Sequence, residues 1–236
     1  LWEVPLMAII SETYFAMTKP PILSPKELRK INGNKAKILA KNQVRFADFG
    51  TRRRFSAANH ENLISDILGV ENHTLIGTSN VHLARRFKLT PIGTLAHEWF
   101  MFHAILAGYQ MANIAAQDAW VRVFQGDLGI ALTDTYTTDV FLSGFDTLHA
   151  KLFDGVRQDS GDPVTFLHKI LAHYKTLHID PASKTIVFSD GLTVERASAI
   201  HRECSGKIRD AYGIGTNLTN DVGVVPLNIV IKMTCA

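Results

Sequence analysis

Cysteine is almost missing from this sequence. There are two in 236 residues, Cys204 and Cys235, with no CxxC and no metal-like spacing around them. That excludes a disulfide framework and makes a reducing cytoplasmic setting the simplest expectation. Long apolar runs are missing too. No stretch approaches the roughly 18 apolar residues that a membrane span needs, so no membrane partner is expected. A formal net charge of +3 is too small to argue for a nucleic-acid partner. There is no GxxxxGK[ST] loop. Gly213-Ile214-Gly215 is followed by Thr216-Asn217-Leu218 and fails the GxGxxG fingerprint. His97-Glu98 lacks the second histidine of a zincin, since Met101 stands there, and the ten histidines form no ligand set by spacing. No metal-ligating residues are expected.

Apolar residues, by contrast, are abundant at 46%, enough for a sizeable core. The length suits one large domain or two small ones; an α/β barrel can occupy it alone, and residues 1–236 are expected to form such a barrel core. Leu1 to Ile10 is apolar without a basic n-region or a small-residue cleavage site. It reads as a buried amphipathic helix. The sequence starts without methionine inside that helix and stops after an apolar run, so a piece of a longer protein is expected.

A grammar recurs along the chain: a short β-type run, a polar-glycine cluster, then a helical stretch. Val44–Ala47 leads into Asp48-Phe49-Gly50-Thr51, His73–Ile76 into Gly77-Thr78-Ser79-Asn80, and Pro91-Ile92 into Gly93-Thr94. Leu128–Leu132 leads into Thr133-Asp134-Thr135, Phe153–Val156 into Arg157 to Asp162, and Thr185–Phe188 into Ser189-Asp190-Gly191. Ile208–Tyr212 leads into Gly213 to Thr216, and Pro226–Lys232 reads as a last strand. Helices are expected over Asn59–Leu68, His97–Gln110, Val164–His178 and Thr193–Glu203. Alternating strands and helices imply a parallel sheet, closed as a barrel or left open. The barrel is the favoured form. In both, ligands bind beyond the strand ends, where these polar clusters fall. For any one loop, however, such residues are also what turns and helix N-caps prefer.

Four clusters carry candidate chemistry. Gly213 to Thr216 offers exposed amides and a hydroxyl, as a phosphate cradle or as a plain turn. Arg157 to Pro163 packs a cation, two carboxylates and a hydroxyl together. The arginine fork can grip an anion bidentately, or the group can be an ion pair capping the next helix. His97 opens an apolar helix, where a helix N-terminus stabilises an anion transferred onto the ring, and Asp134 could orient its imidazole. A lone histidine is more often structural. Arg52-Arg53-Arg54 is either a solvated basic run or a site for an anionic substrate.

Taken together, the strings FADFGTRRRFS, LIGTSNVHLARRF, GTLAHEWFM, LGIALTDT, GVRQDSGDP, IVFSDGL and YGIGTNLT, in that order, resemble the nicotinate phosphoribosyltransferase family. Glu3-Val4-Pro5-Leu6 looks like the family's preceding helix. The resemblance implies a type II phosphoribosyltransferase fold. That fold is an irregular TIM-like α/β barrel plus a smaller domain from the chain ends, here largely absent, and usually a homodimer. It implies the condensation of nicotinate with phosphoribosyl pyrophosphate to nicotinate mononucleotide and pyrophosphate, with ATP as co-substrate and Mg²⁺ assisting.

By the same resemblance His97 is phosphorylated by ATP, Thr94 and Arg157 bind nicotinate, and Gly215 and Thr216 bind the sugar phosphate. Asp159 would hold ribose hydroxyls, Asp190 would support that region, and Asp48 would line the same cavity. A piece of the family's chain alone is expected to be weakly active or inactive. Three rivals stand beside this reading: a related enzyme using nicotinamide, a non-catalytic phosphate-sugar binding module, and an unrelated Schiff-base barrel. No strand-end cluster contains the lysine that the last would need.

Overall fold

The short apolar runs become parallel strands in the computed structural model, which describes residues 2–231. In chain order the elements are α1 (Glu3–Thr18), α2 (Pro25–Lys41), β1 (Phe46–Asp48), α3 (Ala57–Leu68), β2 (Leu75–Thr78) and α4 (Val81–Phe87). Then come α5 (His97–Ala107), α6 (Ala112–Phe124), β3 (Ile130–Leu132), α7 (Thr138–Gly144), α8 (Thr147–Leu152) and β4 (Gly155–Gln158). The chain continues through α9 (Pro163–Thr176), β5 (Thr185–Phe188), α10 (Val194–Cys204), β6 (Arg209–Ile214) and α11 (Thr216–Thr219). The chain forms two compact units. Of the described residues, one holds 2–93, Gly191–Ser198 and 212–231; the other holds Thr94–Asp190 and Ala199–Ala211.

In the first unit β1 lies between β2 and the end of β6, with Asp48 level with Thr78 on one side and Ile214 on the other. Strand and helix share a core of Phe46, Leu63, Ile64, Ile67, Tyr212 and Ile214, all nearly or fully buried. Helix α2 starts where the sequence says it should. Pro25 follows Ser24, whose hydroxyl accepts from the Glu27 N–H while the Glu27 carboxylate accepts from the Ser24 N–H.

Helix α1 departs from expectation. It is helical, but it is neither amphipathic nor buried: Met7, Ala8, Ser11 and Phe15 are inside, while Leu6, Ile9, Ile10, Tyr14 and Met17 are exposed. Its apolar residues run all round the cylinder, so one face cannot hide them all. The three arginines have internal uses in this unit. Arg52 pairs with Glu3 (2.7 Å), Arg54 pairs with Glu12 (3.2 Å), and Arg53 donates to the Ile229 carbonyl (3.0 Å).

In the second unit β4 lies between β3 and β5. Leu132 is level with Arg157, Arg157 with Val187, and Gln158 with Phe188. Three parallel strands therefore end at one edge, and the residues just beyond them (Asp134, Asp159 and Ser189) gather there. Gly155 is required by close approach: a Cβ would overlap the Thr185 carbonyl of the neighbouring strand. Gly155→Ala is expected to cost about 3 kcal/mol through backbone displacement, read as a lowered midpoint in urea.

Other boundaries moved for local reasons. The strand expected from Leu128 begins at Ile130, because Leu128 has φ +56°. The one expected from Phe153 begins at Gly155, after the exit from α8. Helix α5 ends at Ala107, where Gly108 turns to φ +77°. The expected last strand, over Pro226–Lys232, is a correction. Through residue 231 this run has no regular structure, and Lys232 lies outside the described residues. Val225 and Val230 are exposed, so these β-type residues are not held in a packed layer.

Candidate active site

Arg157, the third residue of β4, sits with its guanidinium held on three sides. Its Nε donates to Ser189 Oγ (2.7 Å), Nη1 to Thr94 Oγ1 (2.7 Å), and Nη2 to Asp159 Oδ1 (2.8 Å). Thr94 comes from the extended segment before α5 and Ser189 from the end of β5, so three separate chain segments fix one planar cation. The Ser189 hydroxyl lies 2.8 Å from Asp159 Oδ1 and 3.0 Å from the Gln158 carbonyl, and it gives its single proton to one of them. The Arg157 side chain retains 13% exposure. A guanidinium held in one plane and still reachable is arranged to meet a planar anion.

His97 is the first residue of α5, whose N-cap, Ala96, supplies no side-chain hydrogen bond to the helix start. Within that first turn the Trp99 amide donates to the Ala96 carbonyl (3.1 Å), and the imidazole of His97 stands at the helix start, the end where an anion is favoured. His97 Nε2 lies 3.2 Å from Asp134 Oδ1 and 3.8 Å from Asp159 Oδ2. Asp134 follows β3, and its other oxygen accepts from the Ser160 hydroxyl at 2.6 Å. Burial pushes the Asp134 carboxyl up, but the hydrogen bonds from His97 and Ser160 outweigh it and leave its pKa below the ordinary value. An ionised carboxylate accepts at both oxygens, so Nε2 carries the proton in this contact and Nδ1 faces elsewhere.

Thr94, His97, Asp134, Arg157 and Asp159 are therefore one connected group, all in the second unit. Asp190 follows Ser189 off the same strand end and is half-buried. Among the described residues no three of His, Cys, Asp and Glu are grouped to hold a metal ion.

Asp48, Gly215 and Thr216 belong to the first unit. Asp48 requires a correction. It does not line a cavity, because its side chain has 0% exposure and both oxygens are taken. Oδ1 accepts from the Gly50 N–H (2.8 Å), and Oδ2 accepts from Thr78 Oγ1 (2.6 Å) and His60 Nε2 (2.6 Å). The register that sets Asp48 beside Thr78 explains the second bond, and α3 delivers His60 to the third. Asp48 thus fastens two strand ends, a helix and the following turn. Asp48→Ala orphans three buried donors and is expected to cost about 3–5 kcal/mol in denaturant unfolding. An unchanged midpoint would show the hub to be idle.

Gly215 and Thr216, both half-buried, end β6 and open the four-residue α11. Gly215 passes close to the Phe49 carbonyl, which a Cβ would approach to 3.2 Å. The cavity between α2 and α3, lined by Arg29, Lys37, Asp66 and Glu71 among others, contains none of these candidates.

The model of the nicotinate phosphoribosyltransferase (NAPRTase) family matches residues 44–236. The chain belongs to that family. Among its relatives, the nicotinate phosphoribosyltransferase of Desulforapulum autotrophicum is 67% identical over 233 residues, covering 99% of this chain and 60% of the relative. That of Chromohalobacter salexigens is 50% identical over 234 residues, again 99% and 60%.

The crystal structure of the Porphyromonas gingivalis nicotinate phosphoribosyltransferase superposes with a TM-score of 0.95 at 45% identity, over 98% of this chain and 60% of that one. The Vibrio cholerae structure gives 0.91 at 37%, over 98% and 58%. The fold is that of the family, and the α/β class with parallel strands stands. The chain spans about 60% of the length of the relatives it matches.

The sequence alone points to every member of the connected group except Ser189 and Ser160, and it gives no sign of His60. The serines stand in the quoted motifs, but a serine after a strand looks the same whether it caps a helix or orients an arginine. His60 is hidden by its place on the apolar stripe of α3.

Proposed function

We propose that this chain carries the nicotinate-binding and phosphate-accepting centre of an ATP-coupled nicotinate phosphoribosyltransferase. The observation that carries the reading is the hydrogen-bonded chain Thr94–Arg157–Asp159 with His97–Asp134 beside it. The names of the relatives supply the substrate class.

In this reading Arg157 pairs with the carboxylate of nicotinate, and Thr94, Ser189 and Asp159 keep its fork in one plane. The ring nitrogen attacks the anomeric carbon of phosphoribosyl pyrophosphate. A carbon–nitrogen bond forms, the bond to pyrophosphate breaks, and the electron pair leaves with pyrophosphate. The transition state resembles an oxocarbenium ion, so positioning and electrostatics do most of the catalysis. Asp159 and Asp190 would accept from ribose hydroxyls, and Gly215 and Thr216 would hold the 5-phosphate.

Mg²⁺ fits this donor set as an ion carried on the substrate. Asp159 and Asp190 would be the carboxylates to hold it, together with the substrate's phosphate oxygens and water. When bound it neutralises charge on the departing pyrophosphate.

His97 takes the γ-phosphoryl group of ATP on Nδ1, with ADP leaving, while Asp134 holds the Nε2 proton. The positive end of the α5 dipole and this part-buried carboxylate contact make the first residue of that helix suited to an attached phosphate. A cytoplasmic setting belongs to the same reading. No helix among the described residues is long and apolar enough to cross a membrane. The deciding experiment is formation of nicotinate mononucleotide by the intact protein from nicotinate and phosphoribosyl pyrophosphate, with and without ATP. Nicotinamide serves as the comparison substrate. Turnover of nicotinamide in preference to nicotinate would overturn the assignment of Arg157.

A further inference from the structure

We propose that Ser160 is a positioning residue for the phosphate-accepting histidine and acts through Asp134, by occupying one carboxylate oxygen so that the other faces His97. This rests on the phosphohistidine reading above. Ser160 is exposed, and an exposed serine ordinarily bonds to water, but its loop is fastened on both sides. The buried Gln158 carboxamide donates to the Ser160 carbonyl (2.9 Å) and to the Gly161 carbonyl (3.0 Å). Gly161 then turns at φ +80°, a conformation that side chains resist. Two residues on, Asp162 caps α9 by accepting from the Thr165 N–H at 2.8 Å, with Pro163 at the first helical position. The hydroxyl of Ser160 is thereby presented to Asp134 by a loop with little freedom to withdraw it.

The torsion of an aspartate carboxylate is broad, so a partner on one oxygen is what fixes its plane. The charged groups around the imidazole make that plane matter. Asp134 Oδ1 is 3.2 Å from His97 Nε2, while Asp159 Oδ2 waits at 3.8 Å with its other oxygen on Arg157. An Asp134 that rotates away leaves His97 to turn toward Asp159, and with it the direction of Nδ1 changes. Ser160 therefore selects which of two carboxylates orients the ring.

The test uses the intact protein and three variants, Ser160→Ala, Ser160→Thr and Asp134→Asn. Incorporation of the ATP γ-phosphate is measured in single turnover across about pH 3 to 8, a window that reaches down to the acidic limb of a carboxyl held below its ordinary value. Ser160→Ala is expected to slow incorporation about tenfold, the effect of one hydrogen bond to a charged group. Its acidic limb should lie at higher pH, because Asp134 loses a bond that favours its ionised form. Ser160→Thr keeps the hydroxyl and should restore most of the rate.

Nitrogen NMR of the His97 ring, without nucleotide, reads the same contact independently: Ser160→Ala should shift the Nε2 resonance and its attached proton as the ring changes carboxylate partner. Asp134→Asn marks the result of losing the carboxylate altogether. An unaltered rate, pH profile and ring spectrum in Ser160→Ala would overturn the inference. Equal impairment of the alanine and threonine variants would overturn it too, pointing to loop packing instead. A wild-type protein that takes up no phosphate would remove the phosphohistidine reading, and the ring spectra would still decide the Ser160–Asp134–His97 contact.

Discussion

Arg157→Ala should lower kcat/KM for nicotinate by about 10²- to 10³-fold, with the KM for phosphoribosyl pyrophosphate changing far less. The magnitude follows from removing the proposed charge-assisted contact to a carboxylate in a partly buried site. Lysine is expected to rescue little. Arg157 satisfies Ser189, Thr94 and Asp159 through three different nitrogens, and an ammonium has one nitrogen at one point. Because Asp159 would be left half-buried without its cation, circular dichroism should accompany the kinetics. A milder change separates folding from binding: Thr94→Val removes a single acceptor and should raise the KM for nicotinate several-fold with the fold intact. Equal loss of affinity for nicotinate and nicotinamide in Arg157→Ala would count against a carboxylate contact.

The second large effect is at His97. His97→Ala should abolish incorporation of the ATP γ-phosphate and flatten the stimulation of turnover by ATP to a ratio of about one, since no other side chain in the group offers a nitrogen nucleophile. The measurement is nicotinate mononucleotide formed per unit time with ATP and without it. Retained stimulation would place phosphate transfer elsewhere. Asp134→Asn should keep the ring but weaken its orientation, as an amide can present its NH₂ to Nε2 and reverse the donor–acceptor sense. A slower phosphorylation with some residual stimulation is expected there.

How legible these features were in the sequence differs by kind. Strand ends followed by acid, hydroxyl and glycine could be read directly, because the β-run and the turn chemistry are both local. His97, Asp134, Arg157 and Asp159 were found in this way, and the parallel register then brought three of those loops to one edge.

The resemblance of the ordered motifs contributed the roles that residue patterns left open. Asp48 was misread for a physical reason: an aspartate ending a strand looks the same whether it faces a ligand or is buried by a neighbour. Only the register with Thr78 and the arrival of His60 from α3 separate the two. Helix α1 failed similarly, since an apolar run announces a helix but not how many of its sides find cover. The run from Pro226 shows that β-type residues alone do not make a strand, since through residue 231 it has no regular structure.

One bridging anion has a consequence for how the two halves of the chemistry feel each other. Asp159 extends one oxygen to a guanidinium and the other toward an imidazole, and a single negative charge cannot fully compensate both. Any event that alters the ring's own charge, the arrival of a phosphoryl group above all, redistributes what the guanidinium experiences. In the proposed reading, the grip on an incoming aromatic acid and the energised state of the ring would be tied electrostatically through Asp159, with no moving part between them.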